Sequence, residues 1–183
     1  METWQIIAIG VVVAIAAVVG WWFYERNRTR RLQDRFGPEY NRRVMALGRR
    51  KGESELAKGE ARVKKLEVRP LSTSDRTRFM EEWRLCQARF VDDPGGTVIE
   101  ADRILIEIMR ARGYAVDDPY DRVLDVCTAY PRHSSSYHEA NQILIRHRRN
   151  DASTEDLRKA FLNFRSLFDD ALGGRDEERE RAA

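Results

Sequence analysis

The chain has 183 residues, 34% of them charged, and a net charge of +3, which leaves room for one ordinary domain and a smaller element beside it. Two cysteines are too few for a disulfide-dense scaffold, and Cys86 and Cys127 lie too far apart for a short metal-binding motif. The small net charge hides an asymmetry: residues 25–71 hold 15 Lys and Arg against 7 Asp and Glu, whereas residues 72–183 hold 18 against 22.

Residues 4–24, WQIIAIGVVVAIAAVVGWWFY, carry no charge. As a helix rising ~1.5 Å per residue they reach ~30 Å, the depth of a bilayer core. Trp4 marks one end and Trp21, Trp22 and Tyr24 the other, where amphipathic rings favour the membrane interface. The start MET offers acidic Glu2 instead of a basic n-region, and the apolar run ends in bulky aromatics instead of a small-residue cleavage site. Residues 1–25 therefore read as an uncleaved transmembrane anchor and not as a signal peptide. Arg26, Arg28, Arg30, Arg31 and Arg35 follow it and no Lys or Arg precedes it. Basic flanks stay on the cytoplasmic side, so the chain reads as single-pass in the inner cell membrane, N-terminus out and distal domain in the cytoplasm. The same arginines have two readings: contact with anionic lipid, at ~1 kcal/mol per residue near the surface, or a topology signal alone.

Residues 26–71 read as a basic juxtamembrane connector and helical stalk. Pro38 suits the first turn of a helix. Tyr40, Val44 and Leu47 make one short stripe, and Leu56, Val63 and Leu66 another, but no heptad is sustained between them. Gly48, Gly52 and Gly59 each weaken a helix by ~1 kcal/mol relative to Ala, so this stalk needs packing to be fully helical. Extended, it would hold the distal domain off the membrane.

Residues 72–172 predict a compact bundle of about five helices, and no stretch alternates like a half-buried strand, so the fold class is all-α. Ser72 and Asp75 predict a cap for the first helix, whose face carries Phe79, Trp83, Cys86 and Phe90. The second, carrying Val98, Ala101, Leu105 and Ile108 and widened by Ile104, Ile106 and Met109, is predicted to be the most buried, with Gly113 at its C-terminal cap. The third opens at Asp118-Pro119, carries Val123, Leu124, Val126 and Cys127, and stops at Pro131. Tyr137, Ala140, Leu144 and His147 stripe the fourth. Ser153 caps the fifth, with Leu157, Ala160, Phe161, Phe164, Leu167 and Phe168 at helical spacing. After Gly173-Gly174, residues 173–183 read as a disordered charged tail.

The stretch FVDDPGGTVIEAD, residues 90–102, gathers Asp92, Asp93, Glu100 and Asp102 around Gly95 and Gly96. It reads as a corner: Asp93 caps a helix, Pro94 takes its first turn, and Glu100 and Asp102 diverge by ~200° around it. His133, His138 and His147 lack the i, i+3 or i+4 spacing of a helical metal site. Ser134-Ser135-Ser136 has no nucleophile-elbow pattern around it and reads as a loop after Pro131. The cysteines sit on apolar faces and read as small buried hydrophobes, free thiols in a reducing compartment. No phosphate-binding glycine motif is present. Nucleic acid is set aside as a partner, because the basic stalk mixes in Glu53, Glu55, Glu60 and Glu67 and interleaves no aromatics. No catalytic, cofactor or metal residue is assigned; the assigned site residues are the membrane-interface set Trp4, Trp21, Trp22, Tyr24, Arg26, Arg28, Arg30 and Arg31.

The strings SDRTRFMEEWRLCQARFVDDP at 74–94, EADRILIEIMRARGY at 100–114 and ASTEDLRKAF at 152–161 resemble a family of uncharacterised single-pass membrane proteins of actinobacteria-type bacteria; RFGPEY at 35–40 and RPLS at 69–72 are similar to it too. The resemblance covers most of 35–170 and departs at 115–142. It implies an N-terminal anchor and a cytoplasmic helical domain, and brings no catalytic residue or activity. The expected function is a membrane-anchored, non-enzymatic interaction or scaffold module with a protein partner. The alternatives are an enzyme with dispersed active-site residues, and an extracytoplasmic envelope protein of the same architecture.

Overall fold

The structure, a computed structural model, describes residues 2–114, 116 and 119–174, with side chains at these positions other than 2–12, 14, 35, 38, 119–121 and 174. The charged tail from 175 onward and the opening of the third bundle helix at Asp118 lie outside the described residues. The protein is all-α, and no strand occurs among the described residues. The chain divides into two compact units, Met1–Glu53 and Ser54–Ala183.

In the first unit, α1 (Glu2–Phe36) passes from the apolar stretch straight through the basic residues predicted to be a connector. Nothing in 25–36 breaks a helix, and one stripe of it is packed: Thr29, Leu32 and Phe36, at i, i+3 and i+7, are buried. Gly37 turns the chain into α2 (Pro38–Leu47), and Gly48, at φ 77°, turns it into α3 (Arg49–Lys64). Tyr40 completes the small apolar core, at 4% exposure. Gly52 is where α3 meets α2: a Cβ there would lie 3.0 Å from the carbonyl group of Arg43. The glycine that weakens an isolated helix is what lets these two pack.

The boundary between the units falls within α3, inside the predicted stalk. The reason is packing. From Ser54 onward the segment is fastened to the bundle: Val63, Leu66 and Val68 pack on the bundle core, and Arg62 holds Asp125. The Cβ position of Gly59 meets the Leu124 side chain at 2.7 Å. Arg69 donates its N–H to the Arg112 carbonyl at 3.0 Å.

The bundle itself is α4 (Thr73–Ala88), α5 (Pro94–Ala111), α6 (Pro119–Ala129), α7 (Ser134–His147) and α8 (Thr154–Asp169). A 3₁₀ turn, Pro131–His133, precedes α7, and a π-helical turn, Asp170–Gly174, follows α8. The core lies where α5 and α8 face each other, closed by α4 and α7: Ala101, Ile104, Leu105 and Ile108 meet Phe161, Phe164, Leu167 and Phe168. The predicted caps form. The Ser72 Oγ accepts from Asp75 N at 3.0 Å, Asp93 Oδ1 from Gly96 N at 2.9 Å, and Ser153 Oγ from Asp156 N at 3.1 Å. Two local readings change. Ser134–Ser136, read as a loop, form the first turn of α7, a place serine tolerates well, with Ser134 buried. Phe90 lies in the turn after α4, where it packs on Phe161 at 5.3 Å, while Val91 is 88% exposed.

Gly113 ends α5 at φ 91°, and a Cβ there would meet the Glu67 carbonyl oxygen at 2.8 Å. Backbone conformation and backbone contact both demand glycine. Gly113→Ala is expected to cost about 2 kcal/mol, read as a lower denaturant midpoint at unchanged slope.

The cap of α8 carries a pH dependence. Bonds from Ser153 N (3.0 Å), Arg146 (2.9 Å) and the Ser153 hydroxyl (2.8 Å) hold the Asp156 carboxyl down to about 2. A depressed carboxylate stabilises the fold above its unfolded value, so the contribution is complete above about pH 4 and is lost as pH falls towards about 2. Thermal midpoints followed across that window should fall more steeply for the natural protein than for Asp156→Asn; parallel curves would refute the assignment.

Candidate membrane-facing site

The distal end of the apolar stretch is unlike any other surface among the described residues. Trp21, Trp22, Phe23 and Tyr24 are 68%, 54%, 54% and 66% exposed. Four consecutive helical residues sweep about 300° of circumference, so the apolar surface at this level is exposed on nearly every side of the helix. Val13, Ile15, Val18 and Val19 extend the exposed apolar surface towards the N-terminus. A buried apolar face against a solvated polar face is the rule for a helix in water; this segment has neither.

One turn further on, the arginines begin. The Arg26 guanidinium carbon lies 5.1 Å from the Trp22 ring centroid, a cation–π approach that joins the aromatic and basic bands. Arg26, Arg30 and Arg31 are exposed and Arg28 is half-buried. Taken around the helix from the buried Thr29–Leu32–Phe36 stripe, Arg26 and Arg28 fall on its two flanks and Arg30 and Arg31 on the side facing away. Of the predicted interface set, α1 thus assembles Trp21, Trp22, Tyr24, Arg26, Arg28, Arg30 and Arg31 within about three turns. Trp4 belongs to the same helix, and its side chain lies outside the described residues.

Behind the arginine band sits a polar knot that sequence reading did not find. Glu53 is buried, and its Oε1 accepts from Tyr40 Oη at 2.8 Å, Thr29 Oγ1 at 3.0 Å and Arg49 Nε at 3.1 Å. Arg49 Nη2 also donates to Thr29 Oγ1 at 2.9 Å. Burial pushes the Glu53 carboxyl up, but the bonds from Tyr40, Thr29 and Arg49 outweigh it and hold the group below the ordinary glutamate value. Tyr40 shifts the other way, raised by its own burial and by the bond to Glu53. A second buried acid, Glu39, takes Arg43 at 3.1 Å and Arg42 at 3.4 Å. The knot therefore joins α1, α2 and α3 and uses part of the stalk's positive charge internally.

The other constellations are structural. His133 Nε2 lies 2.8 Å from Asp170 Oδ2, and its Nδ1 lies 3.3 Å from Ser166 Oγ. The residue types are those of a hydrolytic triad, but Ser166 lies inside α8 with its backbone N–H committed to the helix ladder, and no strained turn presents it. The trio ties the 3₁₀ turn to the end of α8. The seam lined by Leu105, Ile106, Met109, Val116, Arg122, Val126, Tyr137 and Leu167 is too narrow to admit water. Cys86 and Cys127 are free and buried, and burial pushes the Cys86 thiol up to about 11, the opposite of an activated nucleophile. In the 90–102 corner, Glu100 pairs with Arg103 at 2.7 Å on the surface, while Asp102 turns inward towards Arg122 at 3.9 Å. A Cβ on Gly95 would strike the His147 ring at 2.5 Å, so the α5 glycine admits a neighbour and not a phosphate. Among the described residues, no three His, Cys, Asp or Glu side chains converge as a metal site.

No protein-family model, curated protein or solved structure matches the chain. Among the described residues no helix is long and apolar enough to cross a membrane; of the apolar stretch 4–24, side chains are described at 13 and 15–24.

Proposed function

We propose that α1 anchors this protein in a bilayer through residues 4–24, and that the helical bundle is an interaction or scaffold module, without enzymatic activity of its own, presented at the cytoplasmic face. The observation that carries the anchor is the all-round exposure of Trp21–Tyr24 at the end of an uncharged run. In water such a surface is an aggregation liability; in a bilayer it is the ordinary state of a spanning helix and its aromatic belt. The arginines that follow favour the cytoplasmic side for the bundle. The module reading is supported by how α3–α8 spend their chemistry. Several of their polar groups serve caps and helix-to-helix ties, including Arg62–Asp125 and His133–Asp170.

Alkaline extraction of membranes tests the anchor. The full chain should stay in the membrane pellet, and a chain lacking 2–24 should leave it; full extraction of both would refute anchoring. A C-terminal reporter fusion should be active in its cytoplasmic form, with both thiols open to alkylation after denaturation. A periplasmic signal would instead favour the envelope reading. Photocrosslinkers at exposed Leu85 and Leu162 should yield adducts in membranes, whereas recovery of uncrosslinked chain alone would count against the module.

A further inference from the structure

Residues 54–68 lie on the bundle without being built into its core. The bundle helices bury whole faces, as α4 does with Phe79, Trp83 and Cys86 at 5% exposure or less. The segment 54–68 gives that core only the half-buried Val63, Leu66 and Val68, and among the described residues α3 has sparser backbone contact with other helices than α4 to α8 have with one another. Gly59 weakens the segment further as a helix. What seats it is specific instead of extensive. A Cβ on Gly59 would lie 2.7 Å from the Leu124 side chain. Three residues on, Arg62 sends Nε and Nη2 to one oxygen of Asp125, at 3.1 and 2.6 Å. Leu124 and Asp125, neighbours on α6, are 2% and 0% exposed, and Leu124 stands apart from the bundle core. Desolvation offsets most of the attraction in such a pair, so the tie selects an occupant better than it secures one. When the segment lifts as a whole, Asp125 and Arg62 both regain water, so opening avoids the penalty of a lone buried charge. Deepening the module reading, on which it rests, we propose that 54–68 is a built-in stand-in: it fills a groove on α6 that receives a helix of a protein partner, and that helix carries a small residue and, three residues later, an arginine. The occupant follows from the seat. Leu124 crowds any side chain at the first position, and at the second only a guanidinium offers two nitrogens in a fixed fork to a carboxylate.

The test uses the full chain in detergent micelles, with a fluorescent synthetic peptide copying 54–68 as the partner helix. Hydrogen exchange reads the opening: amides of 56–64 in the natural chain should exchange about tenfold or more faster than the interior amides of α5 and α8. Two variants should lift the segment by different means, Arg62→Met by removing the counter-charge of Asp125 and Gly59→Leu by wedging against Leu124. Each should speed exchange of 56–64 by about another tenfold and leave α8 unchanged. The peptide should bind both variants about tenfold more tightly than the natural chain, whose own segment competes with it. A peptide carrying Arg62→Lys should bind the Gly59→Leu chain about tenfold more weakly than the natural peptide does. Exchange of 56–64 in step with α8 in every chain would overturn the proposal and make the segment a permanent part of the domain. Loss of protection throughout α5 and α8 in both variants would overturn it too, as would equal binding of the peptide to all three chains. Dimers of the natural chain that the peptide dissociates would overturn it in favour of a second copy as the occupant. No membrane and no cellular protein enters this test, so its failure is distinct from failure of the module reading, which the photocrosslinks decide.

Discussion

Trp83→Ala should remove about 3–5 kcal/mol from the stability of the bundle, the largest loss expected from any single substitution in it. Trp83 comes from α4 and is 5% exposed. It stacks on Phe161 at 5.2 Å with planes 15° apart and on Phe168 at 4.2 Å with planes 17° apart. Those two phenylalanines are seven residues apart on α8, two turns or about 10 Å along the helix, and the indole fills the slot between them. Alanine would leave a slot walled by two stiff rings that cannot collapse onto it, which places the cost at the upper end of large-to-small substitutions. A domain of this size is stable by only about 5–15 kcal/mol, so α4 is expected to loosen before the rest. Trp83→Phe keeps a ring in the slot and should cost about 1.5 kcal/mol or less. Denaturant midpoints of the two variants decide it: equal shifts would mean that the slot is not what holds α4.

Arg62→Met should cost about 3 kcal/mol, for a different reason. Asp125 is 0% exposed on α6, and Arg62 reaches it from α3, 63 residues earlier, with Nη2 at 2.6 Å and Nε at 3.1 Å from Oδ1. Removing the guanidinium leaves a buried carboxylate without its main counter-charge, which costs more than the pair itself contributes. The double variant Arg62→Met with Asp125→Leu should recover most of the loss, because two apolar groups dispense with the desolvation that the pair must offset. Proteolysis offers an independent readout. Cleavage within 54–71 should rise in Arg62→Met and return towards the natural rate in the double variant. A double variant as unstable as the single one would show that Asp125 is needed for something other than Arg62.

These two contacts also mark the line between what the residues reveal one after another and what they reveal only when folded. Ser72, Asp93-Pro94, Gly113 and Ser153 are readable because a cap is chemistry within three or four residues. The faces of α4, α5 and α8 are readable because burial repeats with the helical period. The uncharged run that opens α1 is readable for a similar reason, since absence of charge over 4–24 is a local property. Glu53 and Asp125 look like any solvated acid in a charge-rich stretch; only the folded chain shows three donors converging on one oxygen and a partner 63 positions away. Gly52 and Gly59 appear as flaws in a stalk because the backbone and side chain that fill their missing Cβ positions come from other helices. Ser166 and Asp170 share a helix face, but nothing in their spacing announces His133.

The continuity of α1 has a mechanical consequence. A helix of 35 residues without proline or glycine between Trp21 and Phe36 has no hinge at which its two ends can turn independently. If the apolar end rolls about its axis by the angle of one residue, ~100°, the arginines and the Thr29–Leu32–Phe36 stripe roll with it. The stripe is clamped by the Glu53 knot, so such a roll must either carry α2 and α3 along or break the bonds to Glu53. Torque applied at the apolar end is thus delivered undiminished to the Glu53 knot that joins α1, α2 and α3.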